Sequence, residues 1–134
     1  MKINRLFVIA GLLILIACNS LAFSMENAPA DTVLNYFQAC ENGDVNTIRS
    51  LIVDRFYQRR RVLLEDNEEY PEFLRSYYSG MRIEIIATEV EGENGNAAVR
   101  FEQTFPNGNI IDATLILKKN TDSIWKISDE ILPE

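Results

Sequence analysis

The chain has 134 residues, 47% hydrophobic and 25% charged, the balance of a single globular domain rather than a disordered chain. Its 20 acidic and 13 basic side chains leave a net charge of −7, a surface that repels phosphate backbones, so nucleic acid is not expected as a partner. Histidine is absent, which excludes histidine general bases, Ser-His and Cys-His pairs and most transition-metal sites.

Residues 1–17 read as a bacterial export signal. Lys2 and Arg5 supply a positive start, and Leu6 to Ala17 an apolar run. At about a dozen residues that run suits a signal segment and is short for a spanning helix, which needs roughly 20. Leu15-Ile16-Ala17-Cys18 has the form of a lipobox, which implies cleavage before Cys18 and membrane anchoring through a lipidated Cys18. Each buried CH₂ of such a chain contributes about 0.8 kcal/mol. Two other readings stand beside it: cleavage after Ser24, giving a soluble periplasmic or secreted protein, and an uncleaved anchor extending to Phe23. Cleavage before Cys18 leaves 11 basic and 20 acidic side chains, a net charge of −9. Cys40 then has no disulfide partner and reads as a small buried hydrophobe.

Residues 18–30, polar and small, read as a tether, and residues 31–132 as one domain. Asp31 is the expected N-cap of a first helix, with Val33, Tyr36, Phe37 and Cys40 on its apolar face and Gly43 ending it. Asp44 is expected to cap a second helix whose buried stripe is Val45, Ile48, Ile52 and Phe56. A third is expected from about Asn67 to Ser79, with Tyr70, Phe73, Leu74 and Tyr77 inward. From Met81 the apolar period becomes two. Met81, Ile83 and Ile85 share a strand face, and a phase slip at Ile85-Ile86 predicts a bulge. Val99, Phe101, Gln103 and Phe105 line a second strand, Ile111, Ala113, Leu115 and Leu117 a third, and Trp125 and Ile127 a fourth.

The loop between the second and third strands is set by parity. A two-residue Asn107-Gly108 turn would place apolar faces on opposite sides. A three-residue Pro106-Asn107-Gly108 loop sets Phe101 opposite Ala113 and Val99 opposite Leu115, with Gly108 left-handed. The expected fold class is therefore α+β: three N-terminal helices packed on a curved four-stranded antiparallel sheet, behind a signal or lipoprotein leader.

The run Tyr36-Phe37-Gln38-Ala39-Cys40-Glu41-Asn42-Gly43-Asp44-Val45 resembles the opening of the nuclear transport factor 2-like superfamily, of cystatin-like α+β fold. Ser123-Ile124-Trp125-Lys126-Ile127 resembles that group's last strand, and Ala97-Ala98-Val99 and the Asn-Gly turn fit the strands between. The layout looks like the lumazine-binding-like lipoprotein branch, whose function is unknown. The resemblance covers about residues 31–130. It implies helices wrapped round a bent sheet, often around a pocket. It also implies dimerisation through the sheet, which makes the outward Ile110 and Ile116 candidates for a homodimer interface. Superfamily members include enzymes and many non-catalytic modules, so fold alone does not choose a function.

Enzymes of this type use an inward acid with a tyrosine, or a His-Asp pair; the second is impossible here. The strand acids Glu102 and Asp112 fall on polar faces. The inward polar candidates are Tyr36, Tyr57, Tyr77 and Gln103, which can orient a ligand but supply no base near neutral pH. Arg55, Arg59, Arg60 and Arg61 form a basic cluster followed by Glu65, Asp66, Glu68, Glu69 and Glu72, and ion pairing within the chain is its expected state. No cofactor and no metal is expected. The reading is an exported envelope lipoprotein whose non-catalytic domain binds a small apolar ligand or a protein. The alternative is a small isomerase- or dehydratase-like enzyme with an internal pocket.

Overall fold

The computed structural model describes residues 28–92 and 95–133. The leader, Cys18 and most of the tether lie outside the described residues. Four helices run first: α1 (Pro29–Asn42), α2 (Val45–Leu51), α3 (Asp54–Glu65) and α4 (Tyr70–Tyr78). Strands β1 (Arg82–Val90), β2 (Asn96–Thr104), β3 (Ile110–Lys119) and β4 (Trp125–Ile131) follow. The class and the helix-then-strand order are those the spacing predicts, but there is one helix more than the three expected.

Helix α1 begins two residues before the expected cap. Pro29 occupies the start, where its missing N–H costs nothing, and Asp31 falls in the first turn, close to the positive end of the dipole. Val33, Tyr36, Phe37 and Cys40 are buried as predicted. The helix ends at Gly43, which is left-handed at φ 65°. The N–H groups of Gly43 and Asp44 donate to Cys40 O at 3.1 Å and Ala39 O at 2.9 Å. Asp44 then caps α2, accepting from the Thr47 N–H at 3.1 Å and the Thr47 hydroxyl at 2.6 Å.

The expected second helix breaks at Ile52. That residue is extended (φ −115°, ψ 150°) and forms a parallel bridge with Ile127. The Val53 N–H donates to Ile127 O at 2.9 Å. Two adjacent β-branched residues favour this extended step, and pairing with β4 replaces the helical bonds they give up. The chain re-enters a helix at Asp54, so Phe56 is buried as expected but from α3.

Helix α4 is rotated from its predicted setting. Leu74 is buried, whereas Phe73 is 56% and Tyr77 45% exposed. The side facing inward is Tyr70, Leu74 and Tyr78, four residues apart. Its placement against α1 explains the turn: the Phe37 and Tyr78 rings lie 6.1 Å apart, and a Cβ on Gly43 would meet the Pro71 carbonyl at 2.5 Å.

The sheet is antiparallel throughout, in the order β1-β2-β3-β4. Phe101 pairs with Ala113 and Val99 with Leu115, the register of the three-residue loop, and Gly108 has φ 87°. The bulge expected near Ile86 is present, between Ile85 and Ala87. A second, unforeseen bulge lies in β4: Leu117 pairs with Ile127 and Ile116 with Asp129, leaving Ser128 as the extra residue. Its hydroxyl donates to Ile116 O at 3.1 Å.

Candidate functional site

The interior between helices and sheet is packed rather than open. Phe101, Leu115, Leu117, Ile127, Val99 and Val33 are each at most 2% exposed. Fully burying such a side chain is worth roughly 1.5–3 kcal/mol. Phe37 fills the space between α1 and β2, its ring centroid 4.9 Å from that of Phe101.

The sequence-predicted polar residues separate within this frame. Tyr36 is buried on α1, and Gln103 is buried on β2 with its amide against the Met81 sulfur. Tyr57 packs beside the core from α3, its hydroxyl buried without a partner among the described residues. Tyr77 is not an inward residue. It lies on the surface, stacked on Phe73 at 5.7 Å and edge-on to Phe105 at 5.6 Å, because α4 turns Tyr78 inward instead.

What the fold does bring together is a polar end of the core. α1 supplies Tyr36 and Cys40, α3 supplies Arg60, α4 supplies Tyr70 and Tyr78, and β4 supplies Glu130. Arg60 Nη2 lies 3.1 Å from Glu130 Oε2, and its guanidinium sits 4.6 Å from the Phe56 ring centroid. The Cys40 thiol adjoins the Tyr36 and Tyr78 hydroxyls. Two of the four arginines of the basic cluster pair within the chain: Arg59 and Arg60 pair with Asp129 and Glu130 of β4 and not with the acids that follow them in sequence, while Arg55 and Arg61 have no ion pair among the described residues.

Burial, reinforced by Cys40, holds the Tyr36 hydroxyl well above its ordinary range. Burial likewise pushes Tyr78 up, and Tyr70 against the opposing pull of Arg60. It pushes the Cys40 thiol up to about 12, outweighing the Tyr36 hydrogen bond that favours the thiolate. All four groups are therefore protonated at neutral pH, and a protonated thiol is neither nucleophile nor metal ligand. Glu130 is the one carboxylate here, and Arg60 holds it. The described residues contain no cluster of metal-ligating side chains.

Glu130 was hidden from sequence reading by the Ser128 bulge. Strict alternation from Trp125 and Ile127 puts Asp129 inward and Glu130 outward. The extra residue reverses them, so Glu130 pairs with the inward Leu115. The available signal was an acid, Asp129, falling where alternation demanded an apolar side chain.

The architecture is that of an α+β domain with helices on one face of an antiparallel sheet. No family model matches the chain, and no curated protein matches it. Similar solved structures include a protein of unknown function with a cystatin-like fold from Methylobium petroleophilum PM1, at TM-score 0.49 and 13% identity, over 81% of this chain and 79% of that one.

Proposed function

We propose that the chain is an exported envelope lipoprotein, anchored through Cys18, whose domain is a non-catalytic module that binds a small ligand or a protein. We place it in the lumazine-binding-like branch of the nuclear transport factor 2-like superfamily. Support for the anchor is the Leu15-Ile16-Ala17-Cys18 motif after its apolar run. Support for the family is the Gly43-Asp44 junction, the three-residue hairpin and the closing Trp125-Lys126-Ile127 strand. The observation that carries the non-catalytic reading is the filled interior: Phe101, Leu115 and Trp125 occupy the space a substrate would need, and the inward acid is paired with Arg60.

The enzyme alternative keeps one observation, an inward carboxylate among tyrosines; it requires Glu130 to be released from Arg60. Intact-mass analysis of the membrane fraction tests the anchor, with wild type beside Cys18→Ser. An acyl-mass increment lost in the variant is the expected result. A wild-type protein that lacks the increment, or is recovered in the soluble fraction, overturns it.

A further inference from the structure

The break between α2 and α3 leaves a cleft that shares no lining residue with the tyrosine cluster. Because Ile52 and Val53 leave the helix to pair with β4, the end of α2 and the first turn of α3 part around a cleft of about 430 Å³. Arg49, Asp54 and Tyr57 line its helical wall; Asn120 of the β3–β4 turn and Lys126 of β4 line the other side.

The hydrogen-bonding character of this lining is lopsided. Asn120 spends its side-chain oxygen on the backbone N–H groups of Asp122 at 3.0 Å and Ile124 at 2.9 Å, so its amide N–H donors are what remain. Tyr57 gives the cleft its ring and not its hydroxyl, which is buried away from solvent and unpartnered among the described residues. Arg49 lies 4.8 Å from the Tyr57 ring centroid and pairs with Glu65 at 3.3 Å through one of its nitrogens. Lys126 has no ion pair among the described residues and stands directly across the β3–β4 ladder from Lys118. Like charges so opposed destabilise a sheet unless an anion lies nearby. On a chain of net charge −7, this gathering of donors is unusual. Asp54 is the one carboxylate in the lining.

We propose that this cleft binds a small carboxylate that also carries a hydroxyl or ammonium group. Lys126, with Arg49 and Asn120, receives the carboxylate. Asp54 accepts from the hydroxyl or ammonium, which a bare anion could not offer. The assignment rests on reading the domain as a binding module and not on its anchoring, so the acyl-mass result stands whichever way this site is decided.

The test is a thermal-shift and calorimetric titration of the full chain at constant ionic strength, with L-malate, L-aspartate, succinate and inorganic phosphate as probes. A saturable response to malate or aspartate is expected, at least fivefold tighter than to succinate, which has the same carboxylates without the extra donor. Lys126→Gln is expected to weaken that response tenfold or more, as losing a charged hydrogen-bond partner does. Arg61→Gln, an exposed cation outside the cleft, is expected to leave it unchanged. No saturable response to malate or aspartate, equal binding of succinate, a response to phosphate alone, or undiminished binding by Lys126→Gln would each overturn the assignment.

Discussion

Arg60 of α3 and Glu130 of β4 meet at 3.1 Å across the polar end of the core, with side chains 32% and 31% exposed. The pair is shielded enough for its charges to matter to one another and wet enough that neither is stranded. It ties the helical layer to the last strand through the inward acid, Glu130.

That geometry sets the first prediction. Removing one partner leaves the other half-buried and uncompensated, so Glu130→Ala and Arg60→Ala are each expected to cost about 1–3 kcal/mol. The double variant is expected to cost less than their sum, with a coupling on the order of 0.5–1.5 kcal/mol. Urea unfolding of the four chains checks this; strict additivity would mean that the contact contributes nothing.

Gly43 carries two constraints at once. Its φ of 65° is left-handed, and a Cβ there would lie 2.5 Å from the Pro71 carbonyl. Gly43→Ala is expected to destabilise by about 2 kcal/mol or more, above the roughly 1 kcal/mol of the backbone penalty alone. Moving α4 off α1 is the escape route, so increased hydrogen exchange should concentrate in Tyr70–Tyr78.

Acid stability follows from three exposed carboxylates held below their ordinary value of 3.8: Asp44 chiefly by the Thr47 hydroxyl, Asp112 by Arg100, and Asp129 by the Glu130 N–H and then Arg59. Each folded-state pKa lies below the unfolded one. The stabilisation is thus complete above pH 3.8 and lost as the pH falls further, through the folded values. Urea midpoints measured from pH 6 down to pH 2 should drop within that acid window, and Asp112→Asn should flatten the drop.

The Cys40 thiol gives the alkaline counterpart. It is 1% exposed and its pKa lies at about 12 against an ordinary 9.0. In a Cys18→Ser background, alkylation by iodoacetamide at pH 8 should be negligible in the folded chain and rapid in urea. Since folding favours the protonated thiol, its stabilisation is full below pH 9.0 and declines between there and about 12. Fast labelling of folded protein at pH 8 would show that the site opens.

Much of this fold was legible because burial writes a period into the chain. Two positions show why part of it was not. Ile52 fits the stripe of a continuous helix, and its true role depends on a partner 75 positions away, at Ile127; no local period reports a pairing at that distance. Ser128 adds one residue to a strand, inverting the faces beyond it. Alternation is unbroken at Glu102 and Asp112, so the sequence places both on polar faces, and alternation alone does not reveal the inward acid at Glu130. The earlier slip at Ile86 was readable because apolar residues flank it on both sides, whereas polar side chains follow Ser128. Tyr77 was misplaced for a related reason. On an aromatic-rich helix both Tyr77 and Tyr78 satisfy the spacing, and the choice was made by the contact of Gly43 with α4.

The outer edge of β4 is sealed by the helical half. Trp125 O accepts from the Thr32 hydroxyl at 3.3 Å, Ile127 O from the Val53 N–H at 2.9 Å, and Ser128 O from Arg59 at 3.5 Å. A neighbouring polypeptide would find those acceptors already taken, whereas the far border of β1 has no such cover among the described residues. Among the described residues, growth by backbone pairing therefore has a single direction open to it. Two copies joined border to border would consume it, closing the assembly at a pair instead of propagating a fibre.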